Sequence, residues 1–298
     1  NKKLNVIDCP GADDFVGNAI TALNVTDTGV IVINGQYGVE VGTQNIFRTA
    51  SSIKKPIIFA INQLDGEKAD YDNVIEQMKE VFGSKVVPIQ YPLQCGPGFN
   101  AMIDVLLMKK YSWGPDGGVP VIEDIPAEEM DRAMELHKAL VEAAAENDEG
   151  LMEKFFETEH LTEDEMRTGI RKGLIDRSIY PVFCVSAAKD MGVRRMMEDT
   201  AGEAVEPKAD GPVSVYMFKT TVEPHIGEVS YFKVMSGTLR AGADLDNVTR
   251  GSKERFAQIF CVCGQIKTAV DALEAGDIGA AVKLKDARTG NTLDEKGC

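Results

Sequence analysis

The chain has 298 residues, of which 44% are hydrophobic and 27% charged, and its formal net charge is -15. This composition predicts a soluble globular protein of about two domains with a substantial core. The sequence contains no run of ~18 apolar residues, which excludes a membrane-spanning helix. It shows no basic-then-apolar leader, so we expect no secretion signal.

The cysteines and histidines show no metal-binding spacing. The six cysteines form no C-x-x-C pair and the three histidines are widely scattered, so we expect no site held by these residues. Reduced thiols and a cytoplasmic location fit this pattern. Cys261 and Cys263 alternate along a β-like run, and we assign them to packing.

The first part of the chain alternates strands with helices. Short apolar, β-branched runs predict strands at 4–8, 29–34 and 56–62. Segments with helical spacing lie between them, around 13–25 and 42–54. Near-continuous apolar strands separated by helices indicate a parallel sheet that is covered on both faces.

A fourth strand of the same character is predicted at 179–187, more than a hundred residues later. The intervening residues indicate an insertion of mixed α and β character, with an acidic helical stretch at 127–173. Residues 116–166 carry 17 Asp and Glu against 3 Lys and Arg, nearly the whole charge imbalance. This stretch is either a solvated helical face or a docking surface for a basic partner; nucleic-acid binding through it is disfavoured.

The pattern changes again after Val205. Residues 206–212 have the composition of a linker. Short, regularly punctuated strands follow, which predict a small β-barrel.

The first of three chemistry-bearing stretches is Asp8-Cys9-Pro10-Gly11. A carboxylate at the end of a strand can hold Mg²⁺ through water beside a nucleotide's phosphates. Gly11 lacks a Cβ, so its backbone N–H can approach a terminal phosphate. Taken alone, this stretch also fits an ordinary turn.

The second stretch is Asn62-Gln63-Leu64-Asp65. Asp65 can accept both N–H donors of a guanine edge, while Asn62 braces the loop and contacts N7. Adenine lacks those donors and would leave Asp65 unpaired. Taken alone, Asn-x-x-Asp also fits an ordinary turn, because Asn and Asp are both favoured in turns.

The third stretch, Ser186-Ala187-Ala188-Lys189, again follows a predicted strand. Its small residues allow the backbone N–H of Ala187 or Ala188 to reach guanine O6. All three stretches follow predicted strands. The first is suited to contact a phosphate and the other two a base, which favours one nucleotide site over three unrelated turns.

In this order, DCPG, NQLD and SAAK resemble the motifs of translational GTPases, and of elongation factor G in particular. The similarity covers essentially the whole chain and includes PIIFAINQLD, LTEDEMRTGIRKG and EAGDIGAAVKLKDARTGNTL. It implies an incomplete α/β P-loop-GTPase-like domain at 1–83 and 179–205. It also implies an α+β G′ insert at 84–178, followed by a domain II β-barrel at 206–298.

The resemblance implies GTP or GDP with Mg²⁺, and a role on the ribosome in elongation and translocation. The acidic insert would meet the ribosomal stalk protein and domain II the ribosomal RNA, with no role for DNA or a membrane. The nucleotide contacts carried over are Asp8, Gly11, Asn62, Gln63, Asp65, Ser186 and Ala187, with Asp8 also on the metal.

The sequence departs from this family in its phosphate-binding elements. No Gly-Lys dipeptide occurs, so the P-loop G-x-x-x-x-G-K-[ST] is missing, as are switch I and the C-terminal domains. We therefore interpret the chain as a fragment of a divergent factor. We expect it to have little GTP affinity of its own, exposed strand edges and no enzymatic activity.

Two further departures lie inside the motifs. Gln63 stands where the family has Lys, which predicts weaker nucleotide binding. Ala12 stands where the family has the His that orients the attacking water, so we expect impaired hydrolysis. The alternatives are a non-hydrolysing ribosome-binding factor and a ribosomal protection protein of the tetracycline-resistance type. The insert argues against the protection protein.

Overall fold

The computed structural model describes residues 3–201 and 210–295, and only the backbone of residues 13 and 199–201. The chain forms two compact units. The first is Pro10–Glu203, and the second joins Asn1–Cys9 to Ala204–Cys298. No helix in the described residues is long and apolar enough to cross a membrane.

The first unit contains the helices and strands that follow the α/β pattern. Its helices are α1 (Val16–Val25), α2 (Val41–Ser52), α3 (Tyr71–Phe82), α4 (Met130–Ala145), α5 (Glu149–Thr158), α6 (Glu163–Asp176) and α7 (Val193–Ala201). Its strands are β1 (Gly29–Asn34), β2 (Ile57–Asn62), β3 (Val86–Pro88), β4 (Gln90–Pro92), β5 (Ala101–Asp104), β6 (Lys109–Ser112), β7 (Val121–Glu123) and β8 (Tyr180–Cys184).

A four-stranded parallel sheet has the order β1-β2-β8-β3. β1 and β2 pair in register from Gly29 opposite Ile57 to Asn34 opposite Asn62. The buried strands β2 and β8 are apolar except for Asn62 at the end of β2, as expected for strands covered on both faces. The prediction of a parallel α/β sheet is confirmed.

The prediction of a strand at 4–8 is wrong. These residues pair with no strand in the described part of the chain. The segment belongs to the second unit, where Lys3 Nζ lies 2.6 Å from Asp277 Oδ1 and Asn5 Nδ2 donates to Gly276 O at 3.2 Å. An apolar run forms a strand only where an edge accepts its backbone groups, and here polar contacts hold it elsewhere.

The sheet is also not covered on both faces throughout. Among the described residues β1 pairs only with β2. Its alternate side chains Val30 and Val32 are 43% and 58% exposed. β1 is therefore an open edge with an apolar face, in agreement with the expected exposure of a strand edge.

The insertion between β3 and β8 contains an antiparallel sheet of order β4-β5-β6-β7 and the three helices α4, α5 and α6. Its apolar residues form one continuous core with those of the parallel sheet. A buried ion pair crosses this core, because Arg195 Nε of α7 donates to Asp104 Oδ2 of β5 at 2.8 Å. Gln90 completes the connection, since it donates to Asp104 and accepts from Cys184 N.

The acidic stretch is helical, as predicted, and its helices begin at side-chain caps. Asp148 accepts from Leu151 N at the start of α5 and also pairs with Lys172. Thr162 and Glu165 form a reciprocal capping box at the start of α6. These caps satisfy backbone donors that a helix N-terminus otherwise leaves without partners.

The second unit is an antiparallel β domain. Its strands are β9 (Ser214–Glu223), β10 (Gly227–Ser236), β11 (Thr238–Arg240), β12 (Ala243–Asn247), β13 (Ser252–Phe256), β14 (Ile259–Cys263), β15 (Ile266–Val270), β16 (Ala272–Glu274), β17 (Ile278–Val282) and β18 (Thr292–Asp294). Eight of them form one sheet of order β13-β12-β18-β9-β10-β17-β14-β15, and β11 pairs with β16.

This sheet curls around its own apolar core, in which Phe232 meets Phe256 edge to face at 5.5 Å. The prediction of a barrel-type β domain after the α/β part is confirmed. Most of the predicted linker at 206–212 lies outside the described residues.

Candidate functional site

The candidate site lies at the carboxyl edge of the parallel sheet. β2 ends at Asn62, and the loop after β8 begins beside it, with Val185 N donating to Ile61 O at 2.9 Å. In parallel sheets, loops that leave adjacent strands at this edge meet, and ligands bind there. The sequence stretches Asn62–Asp65 and Ser186–Lys189 are therefore brought together.

Asp65 is the acceptor at the centre of this cluster. Ser186 Oγ donates to its Oδ1 at 2.8 Å, and Lys189 Nζ lies 3.5 Å from its Oδ2. The Asp65 side chain is 19% exposed. The carboxylate is thus held in position by two residues of the neighbouring loop, while part of it remains accessible to a ligand.

Asn62 ties the two loops together through its side chain. Its Oδ1 accepts from Ala187 N at 3.0 Å. This contact occupies the Ala187 N–H, whereas the Ala188 N–H donates to no acceptor in the described part of the chain. Of the two backbone donors that the sequence left open for guanine O6, Ala187 thus has a protein acceptor and Ala188 has none among the described residues.

Gln63 occupies a constrained position beside this cluster. Its φ is 61°, in the left-handed region that side chains rarely adopt. Its Oε1 accepts from Asn34 Nδ2 at 2.6 Å. Asn34 in turn accepts from the backbone N–H groups of Gln36 and Tyr37. This places the carbonyl end of Gln63 towards β1.

Sequence reasoning missed Asn34. The available signal was its position, because it ends the apolar run of β1 as Asn62 ends that of β2, and the two residues are register partners. An amide at the carboxyl end of a third parallel strand belongs to the same edge.

The predicted phosphate contacts Asp8 and Gly11 form no hydrogen bond or ion pair with this cluster in the described part of the chain. Asp8 is exposed and belongs to the second unit. Gly11 is exposed in the first unit, and no atom lies within 4 Å of the position that a Cβ would take. Ala12 is also exposed, and its carbonyl accepts from Phe15 N.

The role of Asp8 as a Mg²⁺ ligand through water stays a prediction. No group of three His, Cys, Asp or Glu side chains that could hold a metal ion occurs among the described residues. A magnesium ion beside a nucleotide does not need such a group, because one or two carboxylates, water and phosphate oxygens usually hold it.

The chain was compared with known families and structures. The family described as elongation factor Tu GTP binding domain matches residues 1–206, and elongation factor G domain 2 matches residues 212–296. A crystal structure of a protein from Thermus thermophilus is similar at 27% identity, with a TM-score of 0.87 over 97% of this chain. This chain spans 43% of that protein's chain. The chain therefore belongs to the translational GTPases, with a GTP-binding domain of the elongation factor Tu family and an elongation-factor-G-like organisation.

Proposed function

We propose that this protein binds guanine nucleotides and acts on the ribosome during elongation as an elongation-factor-G-like factor with impaired GTP hydrolysis. The observation that carries the proposal is the cluster of Asn62, Asp65, Ser186 and Ala187 at the carboxyl edge of the sheet. The match of the β domain to elongation factor G domain 2 supports the same assignment.

The cluster supplies the groups that a guanine edge requires. The Asp65 carboxylate accepts from N1–H and the exocyclic amine, and Ser186 keeps it oriented. The Ala188 N–H donates to O6. Asn62 Oδ1 is already used by Ala187, which leaves its Nδ2 to donate to N7. The N1–H, exocyclic amine, O6 and N7 of the base thus each have a complementary partner.

This arrangement selects against adenine. Adenine carries no proton on N1 and has an amine where guanine has O6. A bound adenine would leave Asp65 without its donors and would oppose one N–H donor with another. Leaving such buried polar groups unpaired costs about 1–3 kcal/mol each, more for a charged one. We therefore propose that the site is specific for guanine.

Hydrolysis is the step that we propose to be weak. Phosphoryl transfer depends on positioning and charge, including the orientation of the attacking water. Ala12 has only a methyl group at the position after Gly11, and a methyl group neither donates nor accepts a hydrogen bond. Nucleotide binding and nucleotide turnover are therefore separable in this protein.

The test is the ribosome-stimulated GTPase rate of the protein that carries this sequence. We expect a rate far below that of an ordinary translocase, which Ala12→His raises and Ala12→Leu does not, since leucine adds bulk without a polar atom. A rate equal to that of an ordinary translocase in the unsubstituted protein would contradict impaired hydrolysis.

A second candidate function is a non-hydrolysing ribosome-binding factor, in which the nucleotide only orders the protein. The contact between Gln63 and Asn34 favours it, because this amide side chain is bound to β1 instead of lying free to pack along a base. The two functions are distinguished by single-turnover hydrolysis on saturating ribosomes, which only the first allows.

The acidic insert is our proposed docking surface for the ribosomal stalk protein, through a basic patch on that partner. Residues 116–166 carry the charge excess, and Phe156 on α5 is 77% exposed among acidic neighbours. Charge complementarity accelerates encounter, and an exposed aromatic side chain supplies an anchor. The β domain carries 10 Lys and Arg against 12 Asp and Glu over residues 210–295, so it would repel ribosomal RNA much less than the insert.

Stalk binding is tested by its dependence on charge. We expect Glu153→Lys and higher salt to weaken binding of the stalk protein, because exposed charges are screened beyond about 10 Å at 0.1 M ionic strength. Asp271→Lys in the β domain makes the same charge change and serves as the control. Equal effects of the two substitutions would argue against docking on the insert.

A further inference from the structure

Two loops of the insert contact the two loops that carry the base-reading residues. Gly96 N donates to Leu64 O at 2.8 Å, next to Asp65. Gly118 N donates to Asp190 O at 3.1 Å, next to Lys189. The insert is therefore in direct backbone contact with both halves of the site.

The contact at Gly117 leaves no room for a side chain. A Cβ on this residue would lie 1.6 Å from Lys189 O, and its φ is +67°. Both the space and the backbone conformation require glycine here. Gly118 differs, because its φ is +84° but no atom lies within 4 Å of its Cβ position.

The insert loop that contains Gly117 and Gly118 is itself held in position by Trp113, the single tryptophan of the chain. Trp113 is buried, and its Nε1–H donates to Gly118 O at 3.0 Å. Its backbone N–H donates to Asn100 O at 2.8 Å. These two hydrogen bonds fix the position of the loop, and the segment after β8 packs against it.

The segment of residues 186–190, which packs against this loop, carries the candidate donor to guanine O6. Ala188 directly precedes Lys189, whose carbonyl touches Gly117. The same segment carries Ser186, which orients Asp65. A shift of the Lys189 carbonyl would move these groups relative to a bound base.

We propose that Gly117 and Gly118 of the insert are positioning residues that set the geometry of the 187–190 loop and thereby the recognition of guanine O6. This proposal rests on the proposed guanine-binding function for its second part only. Its first part concerns the loop itself and holds whether or not a nucleotide binds.

Three alanine substitutions within one short segment test the first part by amide hydrogen exchange. Gly117→Ala must displace Lys189 O, and we expect the amides of residues 187–191 to exchange at least about tenfold faster, as backbone strain raises local opening. Gly118→Ala introduces strain without a clash and gives a smaller increase. Gly114→Ala is the control, because nothing lies within 4 Å of its Cβ position.

Trp113→Phe provides a milder variant should Gly117→Ala fail to fold. It removes the donor to Gly118 O while keeping an aromatic ring in the core. We expect faster exchange at 187–191 than in the unsubstituted protein. Unchanged exchange in Trp113→Phe and Gly117→Ala would overturn the proposal, as would an equal increase in Gly114→Ala.

Nucleotide selectivity tests the second part. We expect Gly117→Ala to reduce the ratio of affinities for GDP and for 6-thioguanosine diphosphate, which keeps N1–H and the exocyclic amine but has the weak acceptor sulfur in place of O6, by up to about tenfold, the cost of one lost hydrogen bond to the base. An unchanged ratio with faster exchange would refute the role in O6 recognition. The affinities are measured on the protein that carries this sequence, because the chain alone is expected to bind nucleotides weakly. Failure of that protein, without substitutions, to bind GDP would count against the proposed function, while the exchange data would still decide the positioning role.

Discussion

Ser186 and Asp65 are 121 residues apart in the chain, yet the Ser186 hydroxyl donates to the Asp65 carboxylate at 2.8 Å. The entire insert lies between them in sequence. The contact joins the loop after β2 to the loop after β8 and fixes the direction of the carboxylate that we propose reads guanine. The predictions on nucleotide binding follow from this pair.

Asp65→Asn is expected to weaken binding of GDP by a few kcal/mol, because the amide replaces an acceptor with a donor opposite the donors of the base. Binding is measured by calorimetry on the protein that carries this sequence. Xanthine nucleotides, which have an acceptor in place of the exocyclic amine, should instead bind more tightly, because the amide of the Asp65→Asn variant donates to that acceptor. Equal GDP affinity in the two proteins would contradict the role of Asp65.

Ser186→Ala is expected to weaken GDP binding by about 1 kcal/mol, since it removes one hydrogen bond that orients the carboxylate but no contact to the base. The effect should be much smaller in an Asp65→Asn background, and this double-variant cycle is the measurement. Ser112→Ala on β6, whose hydroxyl contacts Glu123 at the surface, serves as the control. Additive effects of Ser186→Ala and Asp65→Asn would show that the two residues act independently.

Arg195→Met is expected to lower the free energy of unfolding by about 3–5 kcal/mol, because it leaves the buried Asp104 carboxylate without its ion-pair partner. The adjacent Arg194 is the matched control. It forms an exposed i,i+4 pair with Glu198, and its removal should cost at most about 0.5 kcal/mol. Urea unfolding followed by circular dichroism measures both, and a similar loss in the two variants would contradict a buried pair.

The capping box of α6 predicts a dependence of stability on pH. Hydrogen bonds from Lys154 and Thr162 lower the pKa of Glu165 from 4.5 to about 2. The carboxylate therefore stabilises the fold above its unfolded-state pKa, and this contribution is lost as the pH falls from 4.5 towards 2.

Glu165→Gln should accordingly be less stable than the unsubstituted protein at neutral pH, and the difference should vanish near pH 2. Thermal unfolding across this range is the measurement. Glu157→Gln is the control, because Glu157 is exposed and forms no ion pair among the described residues. A difference that persists at low pH would show that the Glu165 charge is not responsible.

The pattern of apolar runs in the sequence predicted the strands of the parallel sheet well. β1, β2 and β8 begin and end within a few residues of the predicted runs, because buried parallel strands must be apolar on both faces. The meeting of residues 62–65 with residues 186–189 was also predictable, since polar residues that end adjacent parallel strands meet at one edge.

Pairing and close backbone contacts were not predictable. Residues 4–8 have the apolar pattern of a strand, but strand formation depends on a distant edge, and Lys3 pairs with Asp277 instead. The contact of Gly117 with the Lys189 carbonyl involves no side chain and leaves no periodic signal. The bond between Asn34 and Gln63 depends on the register of two strands, which the sequence does not specify.

The position of β8 in the sheet constrains the order in which the protein can fold as it is made. β8 lies between β2 and β3, but its residues 180–184 follow those of both neighbours and of the insert. Proteins are synthesised at roughly 5–20 residues per second, so β8 is made several seconds after β2 and β3. During this interval the facing edges of β2 and β3 have no strand between them, and unpaired apolar strand edges of this kind promote aggregation.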